Sequence, residues 1–111
     1  MTTPLYTTFR TVEEIKRNTE YMGVTHFFDA DSMRFFQSRI LEGVIGGQYF
    51  ITSEKFVGSR GDEGPRLYTI RKATLDGKVE TPDLPDGSNG FQAYRTANAA
   101  RKAAEKLPPV Q

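Results

Sequence analysis

A chain of 111 residues, 37% hydrophobic and 26% charged, is one domain's worth of sequence and on folding can bury about two thirds of the surface it exposes when unfolded. Fifteen basic residues against fourteen acidic ones leave a formal charge of +1, so whole-molecule attraction to nucleic acid or an anionic membrane is nearly absent and such binding needs a local patch. The absence of cysteine excludes disulfides, thiolate metal sites and a cysteine nucleophile, and fits a reducing cytoplasm.

Residues 1 to 10 show no periodicity and contain Pro4. They read as an extended arm whose Leu5, Tyr6 and Phe9 clamp onto a single domain spanning 11–107, with 108–111 as a tail. A helix starts at Thr11, where Glu14 three residues on completes a capping box: the threonine oxygen accepts an amide of the first turn and the glutamate reaches back to the cap. Val12, Ile15, Thr19 and Met22 then recur at helical spacing, with Glu13, Lys16, Arg17 and Glu20 opposite them, and Gly23 ends the helix.

Between His26 and Phe56 lie six of the eight phenylalanines, which places the core there. Asp29 or Asp31 caps a short helical turn before Met33, and Arg34 to Leu41 reads as a strand, with a helix as the rival reading. Gly43, Gly46 and Gly47 turn the chain into a clear strand, Tyr49 to Phe56, and the Gly-rich, charged run from Val57 to Pro65 reads as a mobile loop. Leu67 to Thr74 and Lys78 to Thr81 flank Asp76-Gly77 as a β-hairpin with a two-residue turn. That turn sets Thr74 opposite Val79, with Tyr68, Ile70, Thr74 and Val79 facing inward and Arg71, Lys78 and Glu80 outward.

Pro82 to Gly90 is a second loop, after which Thr96 caps a helix with a stripe of Ala97, Ala100, Ala103, Ala104 and Leu107. Small side chains let this helix sit close to the aromatic face of a sheet, and Pro108 and Pro109 end it. The order predicts an α+β fold, a three- to four-stranded mostly antiparallel sheet with an N-terminal and a C-terminal helix, covered on one side.

The chemistry on offer is sparse. His26, the one histidine, stands near Asp29 and Asp31, but no second histidine or partner nucleophile accompanies it, and aspartate at a helix start serves as a cap. Ser53 and Glu54 form no constellation in sequence. Gly43-Val-Ile-Gly-Gly has the glycines of a phosphate cradle but leads into a strand instead of a helix. No catalytic residue, metal site or cofactor is expected. Arg34, Arg39, Arg71 and Lys72 interleave with Phe35, Phe36, Tyr49 and Tyr68, the composition of a surface that stacks bases and holds phosphates, although strands alternate aromatic and basic residues as a matter of course. Nucleic-acid binding through those four residues is therefore the alternative to a non-catalytic protein-binding role. A homodimer would add buried surface. No stretch approaches the roughly 18 apolar residues needed to cross a bilayer, and a cytoplasmic protein without membrane contact is expected.

Thr96-Ala-Asn-Ala-Ala-Arg-Lys-Ala-Ala-Glu-Lys-Leu resembles the last helix of the double-stranded-RNA-binding domain, but that family's paired lysines at the helix start are replaced here by Arg95 alone, so the likeness implies topology without function. The run from His26 through Ile40, the Tyr49-Phe-Ile-Thr-Ser-Glu block, the Tyr68-Thr-Ile-Arg strand and the segment Phe91 to Ala104 resemble a family of small uncharacterised proteins of actinobacteria and their phages. That resemblance covers most of the chain. It implies a phage or mobile-element accessory protein, acting in the host cytoplasm, and assigns no residue a role.

Overall fold

The structure is a computed structural model and describes residues 6–23, 27–28, 38–57, 63–82 and 90–107. In chain order these hold helix α1 (Val12–Met22), strands β1 (Arg39–Ile40), β2 (Tyr49–Val57), β3 (Glu63–Ala73) and β4 (Val79–Glu80), and helix α2 (Ala97–Glu105). The strands form one antiparallel sheet in the order β1-β2-β3-β4, an α+β arrangement with a helix at each end of the sequence.

Local sequence sets both helix starts. The Thr11 side chain accepts from the Glu14 amide, and Thr96 does the same for Ala99. Glu14 reaches one residue further back than the capping box predicts and accepts from the Arg10 amide at 2.8 Å. This bond anchors the end of the N-terminal arm, whose Phe9 is buried and donates its amide to the Gly47 carbonyl at 3.0 Å. Gly46 and Gly47, at φ 61° and 81°, make the turn that receives this bond and joins Ile45 to Tyr49.

Three expectations are corrected. The first is the loop at 57–65. β2 continues to Val57 and β3 already begins at Glu63, the two pairing across a bulge between Lys55 and Val57. Pro65, which cannot donate to a ladder, sits where the register slips. The second is the hairpin. The loop has three residues, Leu75-Asp76-Gly77, with Gly77 at φ 92° and Thr74 bonded to Lys78, so Ala73 and not Thr74 faces Val79. A shift of one residue carries a side chain to the other face. Val79 accordingly joins Ala73 on the face assigned to the polar residues, and Glu80 lies opposite Lys72 on the other.

The third correction is that helices and arm cover both faces of the sheet. One face carries Tyr49, Ile51 and Ile70 under Ala100 and Ala104 of α2, with Tyr68, Tyr94 and Leu107 around them. The other carries Phe50 and Ala73 against Ile15 of α1 and Phe9 of the arm, with Phe27, Phe28, Ile40 and Val79 packed on them. The Phe27 and Phe28 rings lie 6.0 and 6.2 Å from that of Phe50, the first edge-on and the second stacked. The expected phenylalanine core is thus present at Phe27, Phe28 and Phe50. Leu5, His26, Asp29, Asp31, Met33, Arg34, Phe35 and Phe36 lie outside the described residues.

α1 buries one residue that its hydrophobic spacing does not predict. Asn18 is fully buried beside Ile15 and Thr19 and donates its side-chain amide to the Leu75 carbonyl at 3.1 Å, joining the helix to the tip of the hairpin. Asn18→Ala leaves that carbonyl without this donor and is expected to lower stability by about 1–3 kcal/mol in urea unfolding. Asn98→Ala, at an exposed position of α2, should change it by less than about 0.5 kcal/mol.

In the same hairpin the Thr74 hydroxyl donates to Asp76 Oδ1, and this bond, with help from Lys78, holds the Asp76 carboxyl below its ordinary range. A depressed folded-state value contributes stability above the unfolded carboxyl range and loses it as pH falls through the folded value. Exposure of the Asp76 side chain keeps the effect small. Below about pH 4 the wild type should lose slightly more stability than Asp76→Asn, read as the difference between their acid unfolding curves.

Candidate functional site

On the α1 face, three consecutive rungs of β2 and β3 pair Phe50 with Arg71, Thr52 with Thr69 and Glu54 with Leu67. Alternation alone would leave such a polar row facing solvent. Here Thr52, Glu54 and Thr69 are buried and Arg71 nearly so, and the row must instead satisfy itself. Glu54 is fully buried, and its Oε1 accepts from Arg71 Nη2 at 2.8 Å and from the Thr52 hydroxyl at 2.5 Å, while Oε2 accepts from the Thr69 hydroxyl at 2.8 Å. Arg71 also donates to Thr52 Oγ1 through Nε at 3.0 Å and to Thr81 Oγ1 through Nη1 at 2.5 Å. Its guanidinium carbon lies 5.3 Å from the Phe27 ring centre and 5.4 Å from that of Phe91, so the ion is also held by two aromatic rings.

The next shell comes from the segment leading into α2. The Gln92 amide donates to Thr69 Oγ1 at 2.8 Å, which ties this segment to the network. Gln92 takes φ 54°, uncommon for a residue with a Cβ, and its Nε2 is buried without a hydrogen-bond partner among the described residues.

The structure divides the four basic residues that the sequence groups together. Arg39 and Lys72 lie on the α2 face, Arg39 exposed and opposite Ser53, Lys72 partly buried and opposite Tyr49. Arg71 lies on the other face with its side chain only 13% exposed. Arg34, like His26, Asp29 and Asp31, is outside the described residues. Two cations absent from that grouping stand near Arg39: Lys55 and Arg66 pair directly across β2 and β3, and Arg66 donates to Ser53 Oγ at 2.9 Å. Lys55 sits in the expected strand Tyr49 to Phe56, and Arg66 reads with Arg60, Asp62 and Glu63 as a mixed-sign, solvated loop surface; only the β2–β3 register sets the two opposite each other. Among the described residues no group of three or more His, Cys, Asp or Glu could hold a metal, and no helix is long and apolar enough to cross a membrane.

Glu54→Ala leaves the Arg71 charge buried without its carboxylate and is expected to cost about 3–5 kcal/mol in urea unfolding. Replacing both partners with apolar residues, Glu54→Leu with Arg71→Met, should recover most of that loss in a double-mutant cycle.

The model of a family of unknown function (DUF7447) matches residues 11–105. No curated protein and no solved structure matches the chain.

Proposed function

The chain belongs to the family of unknown function DUF7447, and from that starting point we propose that it is a non-catalytic binding protein whose partner is another protein. One observation carries the reading: the fully buried Glu54 carboxylate and the nearly buried Arg71 guanidinium are directed at each other and at Thr52, Thr69 and Thr81. A catalytic acid or base needs a proton site turned toward a substrate. Here the geometry does a different job, fixing β2 against β3 and against the segment that leads into α2. A scaffold stiffened in this way from within offers its outer surfaces for recognition.

The setting follows from the resemblance carried by the Tyr49 block, the Tyr68 strand and the Phe91–Ala104 segment. We place the protein as an accessory factor of an actinobacterial phage or mobile element that works in the host cytoplasm without a cofactor. The near-neutral charge supports a protein partner over a nucleic acid.

The test is capture by cross-linking in a host-cell lysate, followed by titration of the purified candidate against the purified chain. A saturable one-to-one complex is expected, together with no mobility shift of DNA or RNA at low salt. A nucleic-acid shift at low salt that fades steeply as salt is added, with no protein captured, would replace this reading with the nucleic-acid one.

A further inference from the structure

The tip of the β3–β4 hairpin holds a pair of groups that can react with each other. Asp76 is followed by Gly77, and a backbone nitrogen whose own Cα carries no side chain meets no steric obstacle in approaching the carboxyl one residue before it. The Asp76 side chain is 60% exposed, so water reaches that carboxyl. When the carboxyl is protonated, the Gly77 nitrogen can attack Asp76 Cγ. A C–N bond forms, the amide proton and the carboxyl hydroxyl leave as water, and a five-membered succinimide closes. Water then adds at the main-chain carbonyl carbon of the ring and that carbon's bond to the Gly77 nitrogen breaks. The product is isoaspartate, with one water released, one taken up and no change in mass.

The closed hairpin opposes the first step at both reacting groups. The Thr74 hydroxyl donates to Asp76 Oδ1 and accepts from the Lys78 amide at 3.0 Å, which ties the carboxylate to the residue two positions before it. Lys78 Nζ lies 3.8 Å from Oδ2. These neighbours favour the ionised carboxylate, whose oxygen is not ready to leave as water. On the other side Gly77 is buried, and its amide donates to the Thr74 carbonyl at 3.2 Å, so the nitrogen is screened from solvent base and committed to the turn. Thr74 therefore holds the electrophile through its side chain and the nucleophile through its backbone.

We propose that Asp76-Gly77 is a site of spontaneous isoaspartate formation, restrained by Thr74 while the hairpin is closed. The inference is independent of what the protein binds. Its consequence is structural: in isoaspartate the main chain runs through Cγ, which lengthens the loop by one atom. The same loop presents the Leu75 carbonyl to Asn18, so modification at Asp76 also loosens the hold of the hairpin on α1.

The test is peptide mapping of the full chain after weeks at neutral pH, beside a blocked synthetic peptide of residues 73–78. Isoaspartate shows as an isomer of unchanged mass that resists an aspartate-specific endoprotease. Trypsin releases residues 73–78 apart from residues 79–95, which carry the same dipeptide at Asp86-Gly87 and serve as an internal reference. Isomerisation at Asp76 should be at least about fivefold slower in the native chain than in the peptide, the ratio one ordinary hydrogen bond supplies. Thr74→Val, which keeps the branched shape without the hydroxyl, should recover about that factor, and Thr74→Ser should stay near the wild-type rate. Hydrogen exchange at the Gly77 amide shows whether the hairpin remains closed in Thr74→Val, and Thr74→Ala replaces it if the hairpin opens.

A native rate equal to that of the peptide would overturn the proposal, as would a Thr74→Val rate equal to the wild type. So would Thr74→Ser reacting as fast as Thr74→Val, because the hydroxyl would then not be the restraint. An equal acceleration at Asp86 in the Thr74→Val chain would assign the effect to general loosening and overturn it too.

Discussion

The fold turns on a charged pair held where a β-sheet is ordinarily apolar. Glu54 and Arg71 sit on the two longest strands, inside a layer that also contains Phe50, and the hydroxyls of Thr52 and Thr69 fill the positions between them. Ions removed from water are tolerated only when attraction and hydrogen bonds together offset the lost hydration. Each member therefore constrains its neighbours: the threonines must keep their rotamers, Thr81 must reach back from beyond β4, and Phe27 and Phe91 must lie against the guanidinium. One interaction thereby fixes a strand pair, the end of the hairpin and the segment before the last helix.

The two faces of the sheet meet their helices by different physical routes. On the α2 side, alanines at Ala100 and Ala104 bring the helix close enough for Tyr49, Ile51 and Ile70 to fill the space, so contact is made by making the helix thin. On the α1 side the helix offers Ile15 and the gap is filled by rings from Phe9, Phe27 and Phe28 around Phe50. The N-terminal arm is accordingly part of the core, and its Tyr6 hydroxyl, with Glu13 in a lesser role, raises the affinity of the Arg17 guanidinium for its proton.

Much of this is legible in the residues because it depends on local rules. Thr11, Glu14, Gly23 and Thr96 mark helix ends by hydrogen-bonding chemistry that acts within a few residues, and the alanine stripe and the Tyr49 strand follow from periodicity. What stays hidden depends on pairing over distance. Thr52, Glu54, Thr69 and Arg71 look like a solvated row, and only the β2–β3 register shows that they answer one another. The hairpin fails by one residue, since Asp76-Gly77 suits both a two-residue and a three-residue loop, and that single step moves Val79 across the sheet. Among the basic residues, Arg39 stands out in the sequence beside the aromatics, while the strand position of Arg66 is hidden by a bulge that lets glycine, proline and charge occur within β3.

The bond from Asn18 to Leu75 links points 57 residues apart in the chain. Helix nucleation is a local event, whereas this contact exists only after the hairpin has closed and come to rest on α1. Opening of the hairpin tip therefore also removes a hold on the middle turn of α1, coupling two segments that are remote in sequence.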